Sequence, residues 1–169
     1  MGGVVIRETT RDALAFAADV PLSRAVPLYR EISPYMGWAK VGLSLFVEHG
    51  PAAVESFLDL GARVFLDLKL HDIPNTVRLA AERAGALGAG ILTVHATGGR
   101  EMIRAAVEGA AEGAARRGHE APRILAVTVL TSFSPEGLAE VGLTAPIPET
   151  VRRLADLAIS AGAGGLVCS

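Results

Sequence analysis

Phe65-Leu66-Asp67-Leu68-Lys69-Leu70-His71-Asp72-Ile73-Pro74-Asn75-Thr76-Val77 sets ionisable side chains inside an otherwise apolar, strand-like run. In a strand, side chains two apart share a face, so Asp67 and Lys69 point one way while Leu66, Leu68 and Leu70 point the other. One face packs and the other is left for chemistry. Burying a lone ion is costly, so both charges are expected in a paired, hydrogen-bonded cluster at the polar mouth of a fold.

Outward from this strand, short apolar runs alternate with longer helical patterns, which predicts repeated βα units and a parallel sheet. The expected strands are 14–18, 37–41, 64–69, 91–95, 124–130 and 165–168, and the expected helices 22–32, 51–60, 74–87, 101–116 and 148–161. Pro51, Pro74 and Pro148 suit first-turn positions, where a missing N–H costs nothing. The strand ends read Asp19, Lys40, Asp67 with Lys69, His95 and Thr131, polar where loops of such sheets gather function. The spacing of roughly 30 residues per βα unit is that of a (β/α)8, or TIM, barrel. Six of eight units are then present, in one barrel domain over 1–169 that is incomplete at its C-terminal end. The alternative from topology is a six-stranded doubly wound sheet.

Half of the 169 residues are apolar, a fifth are charged, and the net charge is −2. That composition fits a packed α/β protein better than a disordered or fibrous one. Arg116-Arg117 is too short a basic run to suggest nucleic acid. Cys168 is the sole cysteine, so no internal disulfide is possible and a reducing, cytoplasmic setting is expected. The start carries neither a signal-peptide order nor a myristoylation motif, and no apolar run is long enough to span a membrane. Residues 1–12 are expected to form a poorly packed lead-in.

A strand-end Asp-x-Lys can be an ordinary ion pair at a sheet edge. Lys40 argues otherwise, because Gly37-Trp38-Ala39-Lys40-Val41-Gly42 is too apolar for a solvated lysine and its strand should neighbour that of Asp67. An alternating Lys/Asp array in one pocket follows, with Asp72 near it; such an array keeps each group ionised between opposite charges. His71 and His95 beside Asp67 and Asp72 could instead ligate zinc, manganese or iron, although a lysine within the cluster would compete with the cation. Gly85-x-x-Gly88-x-Gly90 precedes a strand, so it reads as a helix C-cap and turn, not a dinucleotide loop. Gly98-Gly99 is either an anion site at a helix N-terminus or a tight βα turn. Thr131-Ser132 either offers hydroxyls to the mouth or caps a short helix.

These motifs resemble the orotidine 5′-phosphate decarboxylase family, in its bacterial branch. The resemblance rests on Phe65 to Val77 as quoted, with Trp38-Ala39-Lys40-Val41-Gly42-Leu43, Thr93-Val94-His95-Ala96, Gly98-Gly99, Val127-Thr128-Val129-Leu130-Thr131-Ser132 and Gly165-Leu166-Val167-Cys168-Ser169 in the family's order, over residues 18–169. It implies a TIM barrel that converts orotidine 5′-monophosphate to UMP in pyrimidine synthesis without metal or organic cofactor. By motif, Lys40, Asp67, Lys69 and Asp72 are the charged network, and Asp72 reaches the partner's site across a homodimer. Asp19 and Lys40 hold ribose hydroxyls, Thr76 adds a contact from the partner subunit, Thr131 touches the pyrimidine, and Lys69 protonates C6.

Two features depart from the family pattern. Ala17-Ala18-Asp19 stands where Ala-Leu-Asp is usual. The family's phosphate grip, a Pro-Gly-Ile-Arg-like loop, a loop Gln and a later Arg, has no counterpart in residues 1–169, which predicts severe loss of activity. A related magnesium-dependent keto-sugar-phosphate decarboxylase shares the Asp-x-Lys-x-x-Asp core, but the His71 to Thr76 continuation disfavours it. The remaining alternative is an inactive remnant that only binds a ligand or another chain.

Overall fold

The computed structural model describes residues 8–168. Its elements are α1 (Glu8–Asp12), β1 (Ala15–Ala17), α2 (Leu22–Ile32), β2 (Trp38–Gly42), α3 (Leu43–His49), α4 (Pro51–Leu58), β3 (Arg63–Leu70), α5 (Pro74–Ala86), β4 (Ile91–His95), a 3-10 turn at Ala96–Gly98, α6 (Gly99–Arg117), β5 (Arg123–Val127), α7 (Pro135–Glu140), α8 (Ile147–Ser160) and β6 (Gly165–Val167). The strands form one parallel sheet in the order β1-β2-β3-β4-β5-β6. A doubly wound sheet reverses its strand order at a switch point, whereas this one never does, so the doubly wound alternative falls. The sheet curls as in a TIM-type barrel, with five βα units followed by a sixth strand among the described residues.

Val64, Leu66, Leu92, Val94, Ile124 and Ala126 are buried between the sheet and its helices. Pro51 and Pro74 open their helices, and α5 closes with Gly88 at φ 89° while the Ala89 N–H donates to the Ala84 carbonyl. That is the C-cap expected of the glycine run, with the positive φ that glycine adopts without penalty.

Several boundaries differ from expectation. β5 ends at Val127 instead of residue 130, because β6 pairs only as far as Val167 and the Thr128 N–H and hydroxyl both donate to the Val167 carbonyl. Thr131 therefore sits in an exposed turn, not at a strand end. The cap of the following helix is Ser134, whose hydroxyl accepts the Gly137 N–H, so Thr131-Ser132 do not cap it. Residues 1–7 lie outside the described residues. Residues 8–12 are better tied than a loose lead-in: the Asp12 carboxylate pairs with Arg63, its carbonyl accepts the Trp38 indole N–H at 3.1 Å, and Arg63 stacks over the Trp38 ring at 4.4 Å.

Candidate active site

Parallel pairing brings the polar strand ends to one rim. Ala17 lies opposite Lys40, and Gly42 lies opposite Asp67, so the chain leaving β1 delivers Asp19 beside the two following strands. Lys40 Nζ is 3.3 Å from Asp19 Oδ1 and 3.9 Å from Asp67 Oδ2, while Lys69 Nζ donates to Asp67 Oδ2 at 2.8 Å. The result is an alternating array, Asp19, Lys40, Asp67, Lys69. Side-chain exposure is 14% for Asp67, 22% for Lys40 and 28% for Lys69, against 69% for Asp19. Charges so far from bulk water are tolerated because each inner one lies between opposite ones.

β3 does not run regularly through this array. Leu66 pairs with Leu92 and Leu70 with Val94, so Asp67, Leu68 and Lys69 together oppose Thr93 alone. This is a bulge, the device by which a strand re-aims side chains. Its cost shows at Lys69, which takes φ 49°, a left-handed backbone rare for a residue with a Cβ. Thr93 is fully buried; its hydroxyl donates to Asp67 Oδ1 and accepts the Lys69 N–H, both at 2.9 Å. Leu66, Leu68 and Leu70 keep to the opposite face, where they line one cavity with Ala84 of α5 and Leu87, the residue that caps it.

The His71 and His95 rings lie 5.4 Å apart at the edge of this array. Burial holds the His95 imidazole below its ordinary pKa, His71 and Lys69 add to that, and Asp67 opposes them. Beside the two histidines a cavity of about 740 Å³ extends toward α7 and α8, bounded also by Thr97, Arg153, Leu154 and Leu157. Its walls do not include Lys40, Asp67 or Lys69, so it adjoins the charged array and does not contain it. Gly98 and Gly99 form the tight turn at the start of α6, with Gly99 at φ 84°.

Asp72 stands apart from the array within one chain: the whole run His71 to Thr76 is exposed, and the Asp72 carboxylate accepts the Ile73 N–H at 2.6 Å. Among the described residues no three His, Cys, Asp or Glu side chains converge on one point, so His71, His95, Asp67 and Asp72 do not make a metal cage.

Residues 12–169 match the family model described as orotidine 5'-phosphate decarboxylase / HUMPS family. The chain belongs to that family. It is 53% identical over 159 residues to the orotidine 5'-phosphate decarboxylase of Anaeromyxobacter sp. (strain K), covering 94% of this chain and 66% of that protein. The crystal structure of orotidine 5'-phosphate decarboxylase from Lactobacillus acidophilus superposes with a TM-score of 0.81 at 37% identity, covering 92% of this chain and 70% of that one. An uncharacterized conserved protein from Geobacillus kaustophilus superposes at 0.86 with 41% identity, covering 92% and 73%. This family member spans about two thirds of the length of the curated relatives it matches.

In this orotidine 5'-phosphate decarboxylase / HUMPS chain, the sequence reading singled out every charged member of the array but missed the role of Thr93. One signal was available: Thr93 is the polar residue two before His95, hence on the same face, in a strand expected to follow that of Asp67 and Lys69.

Proposed function

We propose that the chain carries the chemistry of an orotidine 5′-monophosphate decarboxylase, producing UMP in cytoplasmic pyrimidine synthesis without a metal. The observation that carries the reading is the Asp67–Lys69 pair, bridged to Asp19 through Lys40 at the rim of the sheet. Breaking the bond between C6 and the carboxylate releases CO2 and leaves the electron pair on C6. A fixed ammonium is worth most where such charge develops, and Lys69 supplies it, then gives its proton to C6 and is reprotonated from solvent. Asp67 holds Lys69 in place and crowds the departing carboxylate, so its repulsion is relieved as CO2 leaves. Lys40 and Asp19 suit ribose hydroxyls, and Thr131, in its turn, suits the pyrimidine edge.

Asp72 and Thr76 act in a second subunit on this reading, in a homodimer. Their exposure within one chain supports this, as do the exposed apolar side chains of Leu43, Val47 and Ile73, which follow the neighbouring strands β2 and β3.

The test is loss of orotidine 5′-monophosphate absorbance with this polypeptide and with its Lys69→Ala variant. Weak turnover by the first, since residues 1–169 carry no phosphate grip, and a further reduction of at least about 10²-fold in the second are expected. A chelator should leave the rate unchanged. No turnover in either sinks the reading for this polypeptide, and activity on keto-sugar phosphates that needs magnesium would replace it.

A further inference from the structure

We propose that Thr93 is the positioning residue of this site, its hydroxyl locking both the Asp67 carboxylate and the strained Lys69 backbone into working geometry. The inference rests on the decarboxylase reading above for its kinetic arm. Asp67 divides its two oxygens: Oδ2 faces the Lys69 and Lys40 ammonium groups, and Oδ1 accepts the Thr93 hydroxyl at 2.9 Å. With one oxygen pinned from β4, the other keeps its aim at the lysines. The same hydroxyl accepts the Lys69 N–H at 2.9 Å, where the register shift interrupts the ladder between β3 and β4. One hydroxyl thus replaces the missing ladder bond and fixes the carboxylate, as donor to one and acceptor from the other. It holds Lys69 at φ 49°, a conformation that persists only where surrounding contacts over-determine it.

Thr93 is fully buried beneath the array and presents its hydroxyl to protein atoms, so it acts through Asp67 and Lys69. Its loss should therefore weaken interactions realised in the transition state and leave ground-state binding alone. Val is nearly isosteric with Thr and favours strands, so Thr93→Val removes the hydroxyl with little change in volume. Thr93→Ser keeps the hydroxyl and drops the methyl.

Two measurements decide the matter. The first is amide hydrogen exchange at Lys69, which needs no turnover: Thr93→Val should lose protection there while α6 keeps its own, and Thr93→Ser should retain it. The second is steady-state decarboxylation per folded molecule: Thr93→Val should lower kcat at least about tenfold, the order expected from one buried hydrogen bond, with KM little changed. Thr93→Ser should restore most of kcat. Unchanged Lys69 exchange or unchanged kcat in Thr93→Val overturns the proposal, as does a Thr93→Ser variant no better than Thr93→Val, which would assign the role to the methyl. A wild-type chain without turnover defeats the decarboxylase reading instead, and Lys69 exchange then still judges whether Thr93 holds the backbone.

Discussion

Lys69 combines the central chemical role proposed for this site with the least comfortable backbone, φ 49°, among the described non-glycine residues. Replacing it with Ala or with Gly removes the same ammonium, so the two variants differ chiefly in how they bear a left-handed conformation. The Gly variant is expected to be the more stable by roughly 1 kcal/mol in urea unfolding, reversing the usual order of the two residues. His95 gives a second residue-scale expectation. Its folded-state pKa is lowered, first by burial, so the unfolded chain takes up the proton more readily as pH falls. Its contribution is complete above the unfolded value of about 6.5 and is lost as pH falls through the lower folded value. His95→Gln should flatten that part of the stability–pH curve, and an unchanged slope would refute the assignment. At this scale the sequence was legible where one strand's period sufficed: it placed Asp67 with Lys69, and Lys40 was conspicuous in its apolar run. The Lys69 backbone and the Thr93 bridge were not legible, because both arise from register between two strands.

Helices α5 and α6 lie unusually close, since a Cβ added at Gly85 would collide with the Ala110 carbonyl, one at Gly109 with that of Arg78, and one at Gly113 with that of Glu82. These glycines are buried, and what they would meet is backbone, which cannot swing aside. Beside them Glu82, 5% exposed, pairs with Arg78 and Arg116, and Glu112 completes the group from α6. Gly113→Ala sets a propensity gain of about 1 kcal/mol against overpacking of about 1–3 kcal/mol or more. With rigid backbone in the way the second should win, for a net loss of about 2 kcal/mol in urea unfolding. A neutral or stabilised variant would show that the helices can part freely. The α6 pattern was readable in sequence, but the closeness of its contact was not. Residues 43–49 escaped assignment for a different reason: Leu43-Ser44-Leu45-Phe46-Val47 is as apolar and β-prone as a strand. It becomes α3 because Gly42 is extended at its N-cap and Gly50, at φ 58°, ends it before Pro51 starts α4.

For the whole molecule, alternating βα patterns announced the parallel sheet, and the strands expected at 37–41, 64–69 and 91–95 are found within one residue at each end. What periodicity could not distinguish was a curled sheet from a doubly wound one, since both are written in the same local pattern; the order of the strands decides it. Val47 of α3, 81% exposed, and Ile73, 67% exposed within the run that contains Asp72 and Thr76, leave apolar side chains on the surface. Sedimentation should find the protein dimeric at micromolar concentration, with Val47→Asp or Ile73→Asp moving it toward monomer. A monomeric wild type would place Asp72 and Thr76 outside any shared site. The consecutive strand order also bears on synthesis. Each strand after the first docks on the strand made just before it, so every pairing in the sheet joins strands that are neighbours in sequence. Asp19, Lys40, Asp67, Lys69 and Thr93 have all been added by the time His95 is translated. The ribosome therefore delivers the ionic heart of the site first, and β5 and β6 are laid against a framework in which those charges can already be paired.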